Sequence, residues 1–153
     1  MTIRTATPAE APALAALISL AYRVEDFFKI GDRTDADDVR ERMTRGDFLV
    51  IEDERGVAGC VYVTWHGDVG YFGMLSIDPA RQGQGLGSQL IAAAEAHCRT
   101  AGCGTMELEV VNLREELPPF YRRFGYTESG TRPFTDTERA SRPCHFIVMS
   151  KTL

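Results

Sequence analysis

A glycine-rich loop between a predicted strand and a predicted helix is the part of the sequence best suited to bind a ligand. The segment Gln82-Gly-Gln-Gly-Leu-Gly-Ser88 follows the apolar run Tyr71–Ile77 and precedes the helix-forming stretch Leu90–His97. The first turn of a helix has backbone N–H groups without intrahelical acceptors, and it lies at the positive end of the helix dipole. Glycines allow a ligand to approach that backbone closely. The pattern therefore predicts a site for a phosphate or a diphosphate.

Two common phosphate-binding patterns fit this loop poorly. A P-loop requires a lysine after its glycines, whereas Gly87 is followed directly by Ser88. The dinucleotide fingerprint requires a glycine at the position of Ser88, within a strand–helix–strand unit, and here the loop lies past the middle of the chain. Taken alone, the loop is also compatible with a surface turn that binds nothing.

The elements around the loop predict an α+β domain with a mixed sheet. Apolar runs and alternation predict strands over 2–6, 48–52, 57–65, 69–77, 105–111, 126–130 and 144–150, and helical spacing predicts helices over 8–22, 35–44, 87–100 and 119–124. Three successive strands on short turns indicate an antiparallel meander. A strand that follows a crossover helix should lie parallel to the strand before that helix. The polar segment 132–142 is expected to be a loop.

Composition predicts one globular domain over residues 1–153. The hydrophobic fraction is 44% and the charged fraction 25%, which are ordinary values for a globular protein. The net charge of −5 argues against binding to nucleic acid or to an anionic membrane. Since the sequence shows neither a signal peptide nor a run of membrane-spanning length, we expect a cytoplasmic protein. Its four cysteines lack metal-ligand spacing, so we expect free thiols and no metal site.

The loop and the segments after it resemble the GNAT N-acetyltransferase family. The pattern Gln82-x-x-Gly85-x-Gly87 is similar to the coenzyme A loop of that family. Downstream, Asn112 and the segment Phe120-Tyr-Arg-Arg-Phe-Gly-Tyr126 are similar to its Asn and Phe-Tyr-x-x-x-Gly-Phe patterns. The order of elements also matches over nearly the whole chain. The resemblance implies the GNAT fold, with about seven mostly antiparallel strands and a splay between the fourth and fifth strands.

The resemblance further implies acetyl-CoA as the acetyl donor. Its pantetheine arm would lie in the splay between Tyr71–Ile77 and Thr105–Val111, and its diphosphate would lie on the amides of the glycine loop. Gln82 stands where many members have Arg, which exchanges a charge for an amide. The implied cofactor-binding residues are Met74, Leu75, Ser76, Ile77, Arg81, Gln82, Gly83, Gln84, Gly85, Leu86, Gly87, Ser88, Asn112 and Tyr121.

Catalytic roles follow from the same resemblance. Tyr121 is the candidate general acid, because the reference pKa values of a phenol and a thiol differ by only about 1.5 units. An aromatic residue that only packs on its helix is the alternative. The strand before the loop has no acid, so Glu107 and Glu109 on the neighbouring strand are the candidate bases. A solvated sheet face is the alternative for both, and ordered water can replace a protein base.

The break after the first helix is the candidate acceptor site. Tyr22, Phe27 and Phe28 are expected to wall it, and Glu25 with Asp26 is suited to bind a cationic acceptor; core aromatics are the alternative. We expect acetyl transfer to a primary amine of a small molecule or peptide, by direct attack in a ternary complex. The alternatives are a non-catalytic acyl-CoA-binding module and an acetyltransferase of protein N-termini or lysines. A homodimer is compatible with the resemblance.

Overall fold

The computed structural model describes all 153 residues and contains one seven-stranded sheet. The strands are β1 (Thr2–Thr5), β2 (Asp47–Asp53), β3 (Gly56–His66), β4 (Val69–Ile77), β5 (Thr105–Val111), β6 (Thr127–Pro133) and β7 (His145–Thr152). The helices are α1 (Ala11–Ala21), α2 (Ala36–Met43), α3 (Leu86–Thr100) and α4 (Leu117–Arg122). No helix combines the length and the apolar character that crossing a bilayer requires.

The sheet has the mixed, mostly antiparallel topology that the sequence predicted. Its strand order is β1-β2-β3-β4-β5-β7-β6, so the last strand lies between β5 and β6. Every neighbouring pair is antiparallel except β4 and β5, which are parallel and are joined through α3. The GNAT-like fold class is therefore confirmed.

Helices cover both faces of the sheet, because alternate residues of the central strands point to opposite sides. Leu49 and Ile51 of β2 belong to the core beneath α3 and α4. Phe48 and Val50 of the same strand belong to a second core beneath α1 and α2. This two-sided packing holds β3 and β4 in the centre of the molecule, where the glycine loop begins.

A bulge in β4 marks the point where the sheet opens. Gly73 pairs with Tyr62 and Ser76 with Cys60, so two residues of β4 face the single residue Val61 of β3. One of the two, Met74, has a φ of +53° and is the only non-glycine residue with positive φ. Such a backbone conformation costs on the order of 1–3 kcal/mol and tends to occur at functional sites.

The parallel pairing of β4 with β5 ends early. It comprises three residue pairs and stops at Tyr71 and Glu107, although β4 continues to Ile77 and β5 to Val111. β5 pairs with β7 along its whole length on its other edge, so only the edge that faces β4 is left open beyond Glu107. The splay predicted between the fourth and fifth strands is present.

Some predicted boundaries shift by a few residues. Pro8–Glu10 forms a 3-10 turn before α1, and α4 begins at Leu117 rather than Pro119. β6 continues to Pro133 because its last residues pair with Phe146 and His145 of β7. The loop predicted from Arg132 therefore begins only after Pro133.

Candidate active site

The glycine loop presents a run of free backbone donors. None of the seven N–H groups from Gln82 to Ser88 donates a hydrogen bond to another part of the protein. Gly83 has a φ of +82° and Gly85, the residue that precedes α3, a φ of +74°. A side chain at either position would strain the backbone. Most of the loop is exposed, so these donors are accessible to a ligand.

The loop meets the requirements for binding a diphosphate. Its free amides include those of the first turn of α3, where the helix dipole favours negative charge. No acidic residue occurs between Gln82 and Ser88. A Cβ placed at Gly83, Gly85 or Gly87 would meet no atom within 4 Å, so the space beside each glycine is open. The diphosphate of a coenzyme fits this arrangement.

Arg81 does not contribute its side chain to the loop, contrary to the suggestion from sequence. It is buried, and its guanidinium donates hydrogen bonds of 3.3 and 3.4 Å to the carbonyls of Gly56 and Arg55. It also lies 3.6 Å from the carboxylate of Asp53. Arg81 thus stabilises the β2–β3 turn beneath the loop. The exposed Gln82 is left as the neighbouring polar side chain that a ligand can reach.

A pocket lies where β4 and β5 separate. It encloses about 240 Å³, and its walls come from both strands, from α4 and from the segment after α1. Binding sites for drug-sized ligands span about 300 to 1,000 Å³, so this pocket suits a small group. The lining residues are Tyr22, Glu25, Lys29, Arg33, Arg42, Tyr71, Phe72, Gly73, Met74, Leu75, Leu108, Glu109, Val110, Val111, Leu117, Tyr121, Phe134, Thr135, Asp136 and Phe146.

The tyrosines Tyr22, Tyr71 and Tyr121 line this pocket together. The structure gives none of their hydroxyls a hydrogen-bond partner in the protein, so all three are available to a ligand. Burial raises the pKa of Tyr71 to about 12. A Cβ at Gly73 would come within 2.7 Å of the Tyr71 hydroxyl, so this glycine leaves the space into which the Tyr71 side chain extends.

Tyr121, the candidate general acid, lies on α4 with 8% of its surface exposed. Its ring contacts Phe72 and Phe120 edge-to-face, which fixes its direction. Burial raises the pKa of its phenol, and the nearby Tyr22 hydroxyl raises it further. The group therefore stays protonated at neutral pH. It is able to donate a proton into the pocket, although its catalytic role remains a prediction.

The two candidate bases differ in their access to the pocket. Glu109 lines it, and burial raises the pKa of the Glu109 carboxyl. Glu107 lies outside the lining and accepts a 2.6 Å hydrogen bond from Arg132, a residue that also lies 3.7 Å from Glu109. The geometry therefore favours Glu109 as the base and assigns Glu107 to an ion pair.

Of the four residues predicted to bind the acceptor, two line the pocket and two do not. Tyr22 and Glu25 line the pocket as expected. Phe28, by contrast, is fully buried in a small core with Val111 and Phe134, and Phe27 is 47% exposed on the outer surface. Neither phenylalanine walls the pocket, because the turn after α1 directs one side chain inward and the other outward.

The remaining predicted residues have specific surroundings. Met74 and Leu75 line the pocket. The buried hydroxyl of Ser76 donates a hydrogen bond to the Met74 carbonyl. Ile77 packs against the core under α3. The side-chain oxygen of Asn112 accepts a 2.9 Å hydrogen bond from the N–H of His145. Asn112 therefore holds the start of β7 and lies outside the pocket lining.

Several pocket residues were missed from sequence. Tyr71 belongs to a strand that was predicted from its apolar run, and the alternation of side chains along any strand places it on the face opposite the buried Phe72. Lys29, Arg33 and Phe134 lie in irregular segments without periodicity. The sequence placed the break after the first helix at the acceptor site, but it did not single out these three residues.

Comparison with known proteins is consistent with this geometry. The sequence profile of the Acetyltransferase (GNAT) domain matches residues 44–128, more than half of the chain. The chain belongs to the GNAT acetyltransferase family. The matched region contains β3, β4, the glycine loop, β5 and α4, which are the elements that form the loop and most of the splay.

Two curated relatives and one solved structure are similar to this GNAT chain. Blasticidin-S acetyltransferase from Streptomyces morookaense is 38% identical over 80 residues, which cover 51% of this chain and 54% of that protein. Aminoalkylphosphonate N-acetyltransferase from Salmonella typhimurium strain LT2 is 37% identical over 71 residues, covering 46% and 44%. The chain thus matches about half the length of these relatives.

The solved structure supports the fold. It is a GNAT family acetyltransferase from Elizabethkingia anophelis with acetyl-CoA bound. It matches with a TM-score of 0.77 and 16% identity, over 99% of this chain and 97% of that one.

Proposed function

We propose that this protein is an N-acetyltransferase that uses acetyl-CoA to acetylate a primary amine of a small molecule. The observation that supports this most strongly is the early end of the β4–β5 pairing at Tyr71 and Glu107, which separates the two strands at the tyrosine-lined pocket, while β4 continues towards the glycine loop. Both curated relatives are named as acetyltransferases of small molecules. The small volume of the pocket agrees with such an acceptor.

The donor site uses the main chain. When bound, acetyl-CoA supplies an acetyl group that is activated as a thioester. The amides from Gln82 to Ser88 hold its diphosphate through hydrogen bonds and through the dipole of α3. The unpaired edge of β4 after Tyr71 offers backbone groups to the pantetheine arm. Holding both reactants in one cleft supplies much of the rate gain, since it turns a bimolecular step into an effectively unimolecular one.

The pocket side chains handle the protons. The acceptor amine must be neutral to attack, and Glu109 is the lining carboxylate whose raised pKa best suits it to take that proton, directly or through a water molecule. The C–N bond forms as the C–S bond breaks. Tyr121 donates the proton that the departing thiolate needs, so an amide and the free coenzyme thiol are the products.

The test follows free thiol release from acetyl-CoA with a panel of primary amines, and it compares the wild type with Tyr121→Phe. We expect the variant to bind coenzyme A normally while its kcat falls by about 100-fold or more, the contribution of a positioned general acid. Tyr62→Phe is the control. Unlike the Tyr121 hydroxyl, the Tyr62 hydroxyl donates a hydrogen bond, of 3.0 Å to the Arg42 carbonyl, and Tyr62 lies outside the pocket lining.

The outcomes separate the alternatives. Coenzyme binding without thiol release for any amine would indicate a non-catalytic acyl-CoA-binding module. Release only with peptides would indicate an acetyltransferase of protein N-termini or lysines. Unchanged kcat in Tyr121→Phe would remove this residue from the mechanism.

A further inference from the structure

The pocket holds two cations that have no carboxylate partner. Lys29 and Arg33 both line it, and neither makes an ion pair within 4 Å or a side-chain hydrogen bond in the structure. Both side chains lie against aromatic rings. The Lys29 ammonium lies 5.9 Å from the centre of the Phe134 ring, and the Arg33 guanidinium 5.3 Å from that of Tyr22.

Each acid of the same pocket lies within 4 Å of an arginine outside the lining, although Arg114 is shared with Glu116 and Arg132 with Glu107. Glu25 pairs with Arg114 at 2.9 Å, Asp136 with Arg139 at 3.8 Å, and Glu109 lies 3.7 Å from Arg132. None of these three arginines lines the pocket.

The remaining lining cation, Arg42, is likewise paired with a residue outside the pocket, Asp38, at 3.1 Å. Lys29 and Arg33 are therefore the two lining cations without an ion-pair partner within 4 Å, and the carboxylates of Glu25 and Asp136 act on Lys29 only from a longer distance.

The two cations also lie close enough to repel each other. Burial lowers the pKa of the Lys29 ammonium, and the charge of Arg33 lowers it further. An anion between the two would relieve this repulsion and raise the pKa of the lysine. Arginine can also bind a carboxylate or phosphonate with two parallel hydrogen bonds.

There is room for such an anion beside the main pocket. Tyr22, Lys29 and Arg33 line a second, mostly polar cleft of about 200 Å³, whose other charged lining residues are Arg23, Asp26 and Asp32. Both cations therefore line both cavities, as Tyr22 does.

We propose that the acceptor is a small primary amine that also bears an anionic oxyacid group, a carboxylate or a phosphonate, and that Lys29 and Arg33 bind that group. This inference rests on the proposed acetyltransferase function and refines its substrate class. It reverses the expectation from sequence that Glu25 and Asp26 bind a cationic acceptor. Glu25 is instead paired with Arg114, and Asp26 is absent from the lining of the main pocket.

The test uses three amines of similar size with the intact protein and acetyl-CoA: propylamine, β-alanine and 2-aminoethylphosphonate. The wild type should show a kcat/KM at least tenfold higher for one or both anionic amines than for propylamine. In Lys29→Gln and Arg33→Gln that ratio should fall severalfold, and in the double variant it should approach 1. Arg40→Gln, which removes an exposed arginine of α2 paired with Asp37, should keep the wild-type ratio.

Calorimetric titration of 2-aminoethylphosphonate in the presence of coenzyme A provides a readout that does not depend on turnover. Arg33→Gln should weaken this binding at least tenfold, and folding of each variant is checked by circular dichroism. If a variant fails to fold, the ratio of the wild-type kcat/KM for the anionic amines to that for propylamine decides whether the inference holds.

Thiol release without any preference for the anionic amines would overturn this inference and leave the acetyltransferase function standing. Binding of the phosphonate amine without thiol release would overturn the acetyltransferase function and leave the anion-binding role of Lys29 and Arg33 standing. If the wild type neither prefers nor binds an anionic amine, the inference is wrong.

Discussion

The Glu25 carboxylate accepts a 2.9 Å hydrogen bond from the Arg114 guanidinium, across 89 residues of sequence. Both side chains are largely buried. The pair joins the turn after α1, which supplies Tyr22, to the segment before α4, which supplies Tyr121. It therefore connects the predicted acceptor side of the pocket to the predicted catalytic side.

Arg114→Ala should destabilise the protein by about 3 to 5 kcal/mol, the usual effect of leaving one partner of a buried ion pair alone. Arg45→Ala is the matched control. It removes the 2.6 Å pair with Glu41, whose side chains are both more than half exposed, and such pairs contribute about 0–1 kcal/mol. Chemical denaturation gives both values. Equal losses in the two variants would show that the buried pair has no special structural role.

Adjacent phenylalanines should respond very differently to truncation. Phe28→Ala removes a side chain with 0% exposure and should cost about 3–5 kcal/mol of unfolding free energy. Phe27→Ala removes one that is 47% exposed and should cost less than about 1 kcal/mol. Thermal unfolding of both variants checks this directly. A larger loss for Phe27 would mean that the turn after α1 has the opposite orientation.

The stability of the protein should depend on pH through the buried carboxyl of Glu109. Burial raises the pKa of its carboxyl, so its contribution to stability is greatest below the unfolded pKa of about 4.3 and is lost as pH rises through the folded pKa. The glutamine in Glu109→Gln does not titrate, so the variant does not lose this contribution as pH rises. The difference between the Tm of the variant and the Tm of the wild type should therefore grow in favour of the variant between pH 4 and pH 7.

Glu107→Gln is the control for that measurement, because Glu107 lies on the same face of β5. Its carboxylate accepts a 2.6 Å hydrogen bond from Arg132. Loss of this charge-assisted bond should make the variant less stable than the wild type at pH 7. If both variants shift in the same direction with pH, burial does not distinguish the two carboxyls.

The sequence was sufficient to predict the framework of the site. The bounds of β4 and β5 agree with the structure residue for residue. The bounds of a strand depend on its own residues and on the turn residues on either side, and all of these signals are local. The crossover helix between β4 and β5 then predicted that the two strands are parallel, and the family resemblance supplied the splay, which local patterns alone do not specify.

The walls of the pocket were harder to predict. The segment Arg23–Gly31 has no periodicity, so neither the burial of Phe28 nor the exposure of Phe27 follows from it. Arg81 precedes the glycine loop and was a reasonable phosphate ligand, but the β2–β3 turn lies within its reach and occupies it. These contacts join segments that are distant in sequence, and one sequence does not reveal them.

In the proposed function, the backbone amides of the glycine loop hold coenzyme A. Calorimetric titration of coenzyme A into the wild type, Gly85→Ala and Gly102→Ala measures whether they do. Both glycines have positive φ, +74° and +91°, and a Cβ at either would meet no atom within 4 Å, so both substitutions impose comparable backbone strain. We predict that Gly85→Ala weakens binding at least tenfold while Gly102→Ala, at the far end of α3, binds as the wild type does. Equal affinities in all three proteins, or no binding by the wild type, would contradict the assignment.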